Sequence, residues 1–282
     1  MEERCKDRYS PIGVFDSGYG GLTILRDIAR EMPGYDYIYL GDNARAPYGT
    51  RSYEVVYRYT REAVVKLFEM GCRLVILACN TASAKALRTI QQQDLPVLDA
   101  SRRVLGVIRP SVEAVADYTR NGHIGVLATR GTVASESYLL EVAKIHSGKD
   151  FRVTQLACPM WVPLVENNEL DSPGTEYFVR KYLEELFGMD PGIDTVLLAC
   201  THYPLLREVI DRHVPKGVKV VQQGEIVARS LKDYLWRHPE MEERLSRGGS
   251  IRYYTTEREG MFDRMAAMFM RSGVESRHVE LK

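Results

Sequence analysis

Six short apolar runs, separated by longer amphipathic stretches, constrain this chain more than any other feature. The runs are Ile12–Phe15, Tyr37–Leu40, Leu74–Ala78, Ile124–Ala128, Val153–Ala157 and Val196–Ala199. A strand that buries one face alternates apolar with polar residues. Nearly unbroken runs of Val, Ile and Leu point instead to strands covered on both faces, as in parallel sheets. The stretches Tyr53–Met70, Ala82–Gln93, Arg103–Tyr118 and Thr175–Phe187 read as helices. In the first of them Val55, Tyr59, Val64, Leu67 and Phe68 follow helical spacing. Strand–helix alternation specifies an α/β architecture with parallel sheets.

The pattern also echoes itself. PIGVFDSGYGG, beginning at Pro11, and HIGVLATRGT, beginning at His123, each run from a strand into a loop of small residues. LVILACNTAS and TVLLACTHYP follow them at similar distances, each a strand ending in Ala-Cys with a Thr nearby. Two echoes in the same order imply two related α/β halves. Their strand C-termini would face one cleft, because α/β sheets bind ligands at that end.

Composition narrows the function. The chain has 282 residues, enough for one large or two small domains, and 38 Lys+Arg balance 38 Asp+Glu. That balance argues against a nucleic-acid binder, which carries a basic excess. An odd count of five cysteines does not make a disulfide framework. No apolar run approaches the roughly 20 residues that span a bilayer, and MEERCKDRYS is too charged for a signal-peptide core. A soluble cytoplasmic protein without membrane or nucleic-acid partners is expected.

Cys79 and Cys200 carry the chemistry. Each ends an apolar strand and precedes an expected helix start, where free N–H groups lower a thiol pKa. A lone buried cysteine is usually a small hydrophobe, but this pair is placed alike and flanked alike, by Asn80-Thr81 and Thr201-His202. No C-x-x-C occurs, and Cys200 with His202 supplies too few ligands, so no metal is expected. Two thiols on opposing walls suit removal of a proton from one face of a carbon and its return on the other. His202 is placed to bond or shuttle a proton to the nearby thiol. The loop Asp16-Ser17-Gly18-Tyr19-Gly20-Gly21 fits neither a dinucleotide fingerprint nor a Walker loop. Asp16 fits either a helix cap or a group assisting the cysteine cleft. Tyr48-Gly49 offers an N–H and an aromatic wall. Thr129 and Thr132 offer hydroxyls to a carboxylate. Glu166 taken alone reads as a surface residue.

Six motifs taken together, GVFDSGYGGL, YLGDNARAPYG, ACNTASA, GVLATRGTVAS, CPMWVPLVE and LLACTHYPLL, resemble the glutamate racemases of the aspartate/glutamate racemase superfamily. The resemblance runs from Pro11 to about Phe269. It implies two similar parallel-sheet α/β domains in pseudo-twofold arrangement, with the active site between them. The first domain would comprise residues 1–99 plus 219–282 and the second residues 100–218. It implies two-base chemistry with no cofactor, Cys79 acting on D-glutamate and Cys200 on L-glutamate. Asp16 would support Cys79, and His202 and Glu166 would support Cys200. Asp16-Ser17, Tyr48-Gly49, Asn80-Thr81 and Thr201-His202 match substrate-contact pairs, and Thr129 and Thr132 match further carboxylate contacts. The expected partner is glutamate, the expected assembly a homodimer, and the expected role supply of D-glutamate for peptidoglycan. Ala199, Asn43 and the segment VVQQGEIVARSL depart from common family patterns, without removing a proton-transfer group. Alternatives are a racemase of aspartate or hydantoins and a noncatalytic binder on the same scaffold. Cys5, Cys72 and Cys158 have no assigned chemistry.

Overall fold

The computed structural model describes residues 10–148 and 150–282, so Cys5 lies outside the described residues. Among the described residues, ten strands form two all-parallel sheets. The first sheet contains β1 (Ile12–Asp16), β2 (Tyr37–Gly41), β3 (Leu74–Leu77), β4 (Arg103–Gly106), β9 (Ile251–Thr255) and β10 (Ser276–His278), in the order β10-β9-β2-β1-β3-β4. The second contains β5 (His123–Ala128), β6 (Arg152–Ala157), β7 (Thr195–Ala199) and β8 (Lys219–Gln222), in the order β6-β5-β7-β8. The echo in the sequence is therefore an echo in space: β2-β1-β3-β4 and β6-β5-β7-β8 have the same order.

In each half the opening strand pairs on one side with its successor and on the other with the strand after that. Such a reversal opens a crevice at the strand C-termini. Every residue of β1, β2, β3 and β7 is buried, as their unbroken apolar runs require. Gly13 and Gly125 hold equivalent places in β1 and β5. A Cβ there would come within 3.3 Å of Leu67 and 2.8 Å of Leu186, so both glycines let a covering helix sit close.

The principal helices are α1 (Gly21–Glu31), α2 (Tyr53–Glu69), α3 (Asn80–Lys85), α4 (Ile108–Val115), α5 (Arg130–Ala134), α6 (Ser137–Ile145), α7 (Trp161–Glu166), α8 (Pro173–Met189), α9 (Arg207–His213), α10 (Gln223–Arg237) and α11 (Glu259–Met270). Ser52 caps α2 and Ser172 caps α8, each hydroxyl accepting a first-turn N–H. One apolar cluster spans both halves, from Leu22 and Ile24 of α1 to Trp161 of α7 and Leu198 of β7.

The structure corrects three expectations. Arg103–Tyr118 is not one helix: its first four residues are β4, and α4 starts at Ile108. Pro110 lies in the first turn of α4, where its missing N–H costs nothing, and a helix begun at Arg103 would have placed it in the interior. Ala82–Gln93 is also broken, into the end of α3, a short turn at Leu87–Thr89 and a π-turn at Ile90–Asp94. Finally, pairing cuts across the expected domain boundaries. β4 joins β3 in the first sheet, although residues 103–106 were expected in the second domain. β8 joins β7 in the second sheet, although residues 219–222 were expected in the first.

Candidate active site

A cavity of about 170 Å³ opens between the strand C-termini of the two sheets. Ser17, Tyr48, Gly49, Cys79, Asn80 and Thr81 line it from the first half, and Thr129, Glu166, Cys200, Thr201 and His202 from the second. Two expected site residues stand one layer back. Asp16 is 1% exposed at the end of β1, and Thr132 is fully buried in α5. Cys158, to which the sequence assigned no chemistry, is a third thiol in the wall.

Cys79 is the N-cap of α3, and its sulfur accepts the Ala82 N–H at 3.5 Å. The Ser17 hydroxyl lies 3.4 Å from the same sulfur. These contacts favour a thiolate, but burial outweighs them. Burial first, and then the Asp16 carboxylate, push the Cys79 thiol up to about 12, while Ser17 and the Ala82 N–H only moderate the rise. The expectation of a lowered thiol pKa is therefore reversed at this cysteine. Desolvation of the charged form exceeds what the start of a six-residue helix returns. Charge on Cys200 also disfavours charge on Cys79, so the two sulfurs do not ionise independently.

Cys200 is held differently. It follows β7 but caps no α-helix: a 3₁₀ turn at Tyr203–Leu206 comes next, and α9 starts only at Arg207. Its sulfur lies 4.0 Å from His202 Nδ1, and His202 Nε2 lies 2.9 Å from Glu166 Oε1. Burial disfavours the imidazolium, but hydrogen bonds to Cys200 and Glu166 prevail and raise His202 to about 10. The ring thus stands between a carboxylate and the sulfur, and both favour its protonated form. Glu166, the last residue of α7, joins this array through its contact with His202; taken alone in the sequence it reads as a surface residue, and only the resemblance implies a place beside Cys200.

Asp16 sits behind the floor. Its Oδ2 accepts the Gly18 N–H at 2.9 Å, and its Oδ1 has no partner among the described residues. Burial raises its pKa, against the opposing pull of His202 and of the Gly18 and Gly21 N–H groups. Gly20, in the same loop, packs directly against the other half. A Cβ there would lie 2.2 Å from Thr201 Oγ1 and 2.4 Å from His202 Nδ1.

One end of the cavity is a hydroxyl cluster. Thr81, Thr129 and Thr132 place their Oγ1 atoms 3.0 to 3.4 Å apart, spanning both halves. Nearby, the Tyr48 hydroxyl donates to Asp42, which also accepts Arg45 Nε at 2.7 Å and Thr256 Oγ1 at 2.9 Å. Tyr48 therefore anchors its loop to Asp42, leaving the main chain around Tyr48 and Gly49 to face the cavity. Asp42 was not anticipated, because its role depends on Thr256, which is remote in sequence. Two thiols, preorganised hydroxyls and an imidazolium in a shielded cavity can move a carbon-bound proton while stabilising developing negative charge.

Known proteins resemble this chain over nearly its whole length. The family model described as Asp/Glu/Hydantoin racemase matches residues 12–231. A glutamate racemase from Persephonella marina is 38% identical over 271 residues, covering 96% of this chain and 97% of that one. The crystal structure of a glutamate racemase isoform from Bacillus anthracis superposes with a TM-score of 0.87 at 33% identity, covering 97% of this chain and 98% of that one. The glutamate racemase from Francisella tularensis, crystallised with D-glutamate, superposes with a TM-score of 0.84 at 29% identity, covering 98% and 99% of the two chains.

Proposed function

The chain belongs to the Asp/Glu/hydantoin racemase family, and from that premise we propose that it is a glutamate racemase working through Cys79 and Cys200 without a cofactor. The observation that carries this reading is the pair of thiols at equivalent strand ends of the two sheets, both lining one cavity. In one direction the Cys79 thiolate takes the α-proton of D-glutamate, and the electron pair stays on the α-carbon. The Cys200 thiol then gives its proton to the opposite face, releasing L-glutamate. Cys79 ends as thiol and Cys200 as thiolate, ready for the reverse. The His202 imidazolium lies beside the sulfur that carries charge in that second state. Thr81, Thr129 and Thr132 would hold a carboxylate and stabilise the carbanion, with Asn80, Thr201 and the Ser17 and Tyr48-Gly49 loops around it. Asp16 would act on the Cys79 side from behind the floor.

D-Glutamate made this way would feed peptidoglycan synthesis, by a homodimer in the cytoplasm. No helix among the described residues is long and apolar enough to cross a membrane.

The test uses purified protein without added cofactor in heavy water. Either glutamate enantiomer should lose optical rotation while gaining α-deuterium, and Cys79→Ala and Cys200→Ala should each abolish racemisation while the far-UV spectrum is retained. Exchange with aspartate alone would transfer the proposal to that substrate. Full racemisation by either variant would rule out the two-base scheme.

A further inference from the structure

Asn80 lines the cavity beside Cys79, yet its side chain is held entirely by residues that do not line it. Its Oδ1 accepts the Tyr138 hydroxyl at 2.7 Å, and its Nδ2 donates to Gln223 Oε1 at 2.6 Å. Gln223 Nε2 in turn donates to Ser111 Oγ at 2.7 Å and to the Tyr138 hydroxyl at 2.9 Å. The four residues are at most 3% exposed. They come from α3 of the first half, from α4 and α6 on the second, and from the first residue of α10, the helix that leaves β8.

Donor arithmetic gives this ring a purpose. An amide nitrogen has two N–H donors. Gln223 spends both of its donors inside the ring, and Tyr138 uses its single proton on Asn80. Asn80 spends only one, on Gln223, so its second donor is left over on a residue that lines the cavity. The ring also fixes which end of the amide that is. With Gln223 Oε1 accepting from Nδ2, turning the Asn80 amide alone would set its oxygen against the Gln223 oxygen, so the two amides are fixed together.

We propose that Gln223 is a positioning residue that, together with Tyr138, locks the Asn80 amide with one N–H aimed at the substrate and couples that donor to the packing of one half on the other. Gln223 falls in the segment VVQQGEIVARSL. The identity of the ligand rests on the glutamate-racemase reading, but the positioning does not.

The test is a double-mutant cycle of Gln223→Met with Asn80→Ala. Methionine keeps the length of the side chain and removes its donors and acceptor. Gln223→Met is expected to raise KM for glutamate by roughly tenfold, the worth of one oriented hydrogen bond, with a smaller change in kcat. In the Asn80→Ala background the same substitution should change KM by less than about twofold, because the residue it acts through is gone. Additive losses would overturn the proposal. A second arm needs no turnover. In ligand-free protein, the Asn80 side-chain protons followed by ¹⁵N NMR should exchange slowly in the wild type and at least about tenfold faster in Gln223→Met. Unchanged exchange with a folded spectrum would refute the positioning, whereas a wild type inactive on glutamate would refute only the ligand.

Discussion

Asp16 shows how a single residue sets function against stability. Its carboxylate is buried with one oxygen unpaired, and burial raises its pKa. A carboxyl whose pKa is raised by folding weakens the fold once ionised, so the penalty is absent below about 3.8 and complete above its folded value. Asp16→Asn should therefore increase resistance to urea at pH 7, with the gain vanishing toward pH 3.8. Racemisation should fall by about 100-fold or more, as expected for loss of a group assisting proton transfer. A wild type that is the more stable of the two at pH 7 would refute this account. His202 behaves oppositely. Its pKa is raised by favourable partners, so its contribution is complete below about pH 6.5 and disappears as pH climbs through about 10. The stability lost in His202→Gln should shrink across that window, and a difference independent of pH would argue against a charged ring. At this scale the sequence was informative about identity and poor about state. Cys79 is recognisable from ACNTAS, but its raised thiol pKa depends on burial and on Asp16, which arrives from another strand.

Elements place these side chains, and their joints are where single changes should matter most. Gly20→Ala would drive a methyl group into Thr201 and His202 of the other half. Overpacking of this kind costs about 1–3 kcal/mol, and here it also parts the two walls. A loss of kcat/KM by tenfold or more is expected alongside the lower midpoint in denaturant. Ser172→Ala is the contrasting case. It removes the cap of α8, whose Thr175 N–H the hydroxyl accepts at 3.2 Å, and should cost about 1 kcal/mol with kcat/KM unchanged. An equal effect on activity would mean that α8 shapes the cavity more directly than its position indicates. Strands β1, β2, β3 and β7 were legible because both faces are covered and the sequence must be apolar throughout. β9 and β10 were not: β10 is a three-residue edge strand with two residues exposed, and β9, although paired on both sides, is fully buried only at Thr255. β4 was hidden for another reason: its four residues run through Val107 into the apolar start of α4, and Pro110, in the first turn of that helix, is the one sign that no helix begins at Arg103.

For the whole molecule, the two halves share an apolar cluster and the Asn80–Gln223 ring, so neither half is energetically separate. Unfolding by heat or urea should be one transition by fluorescence and circular dichroism alike. Saturating glutamate at 100 times its dissociation constant should add about 2.7 kcal/mol to that transition. Two resolved transitions would show that the cleft is a hinge between independent domains. The whole-molecule symmetry was the most legible feature of all, since duplicated strands leave duplicated motifs. The two walls of the cavity are nonetheless built differently, Cys79 beneath an N–H and a serine hydroxyl, Cys200 beside an imidazolium and a carboxylate. Mirror-image amino acids have equal free energy in water, so no construction of the walls can favour one hand at equilibrium. For a racemase the asymmetry must therefore appear as matched differences: whichever enantiomer is held more tightly must turn over more slowly, in the same proportion. A handed protein is thus obliged to be even-handed only in the ratio, and free to be lopsided in each part of it.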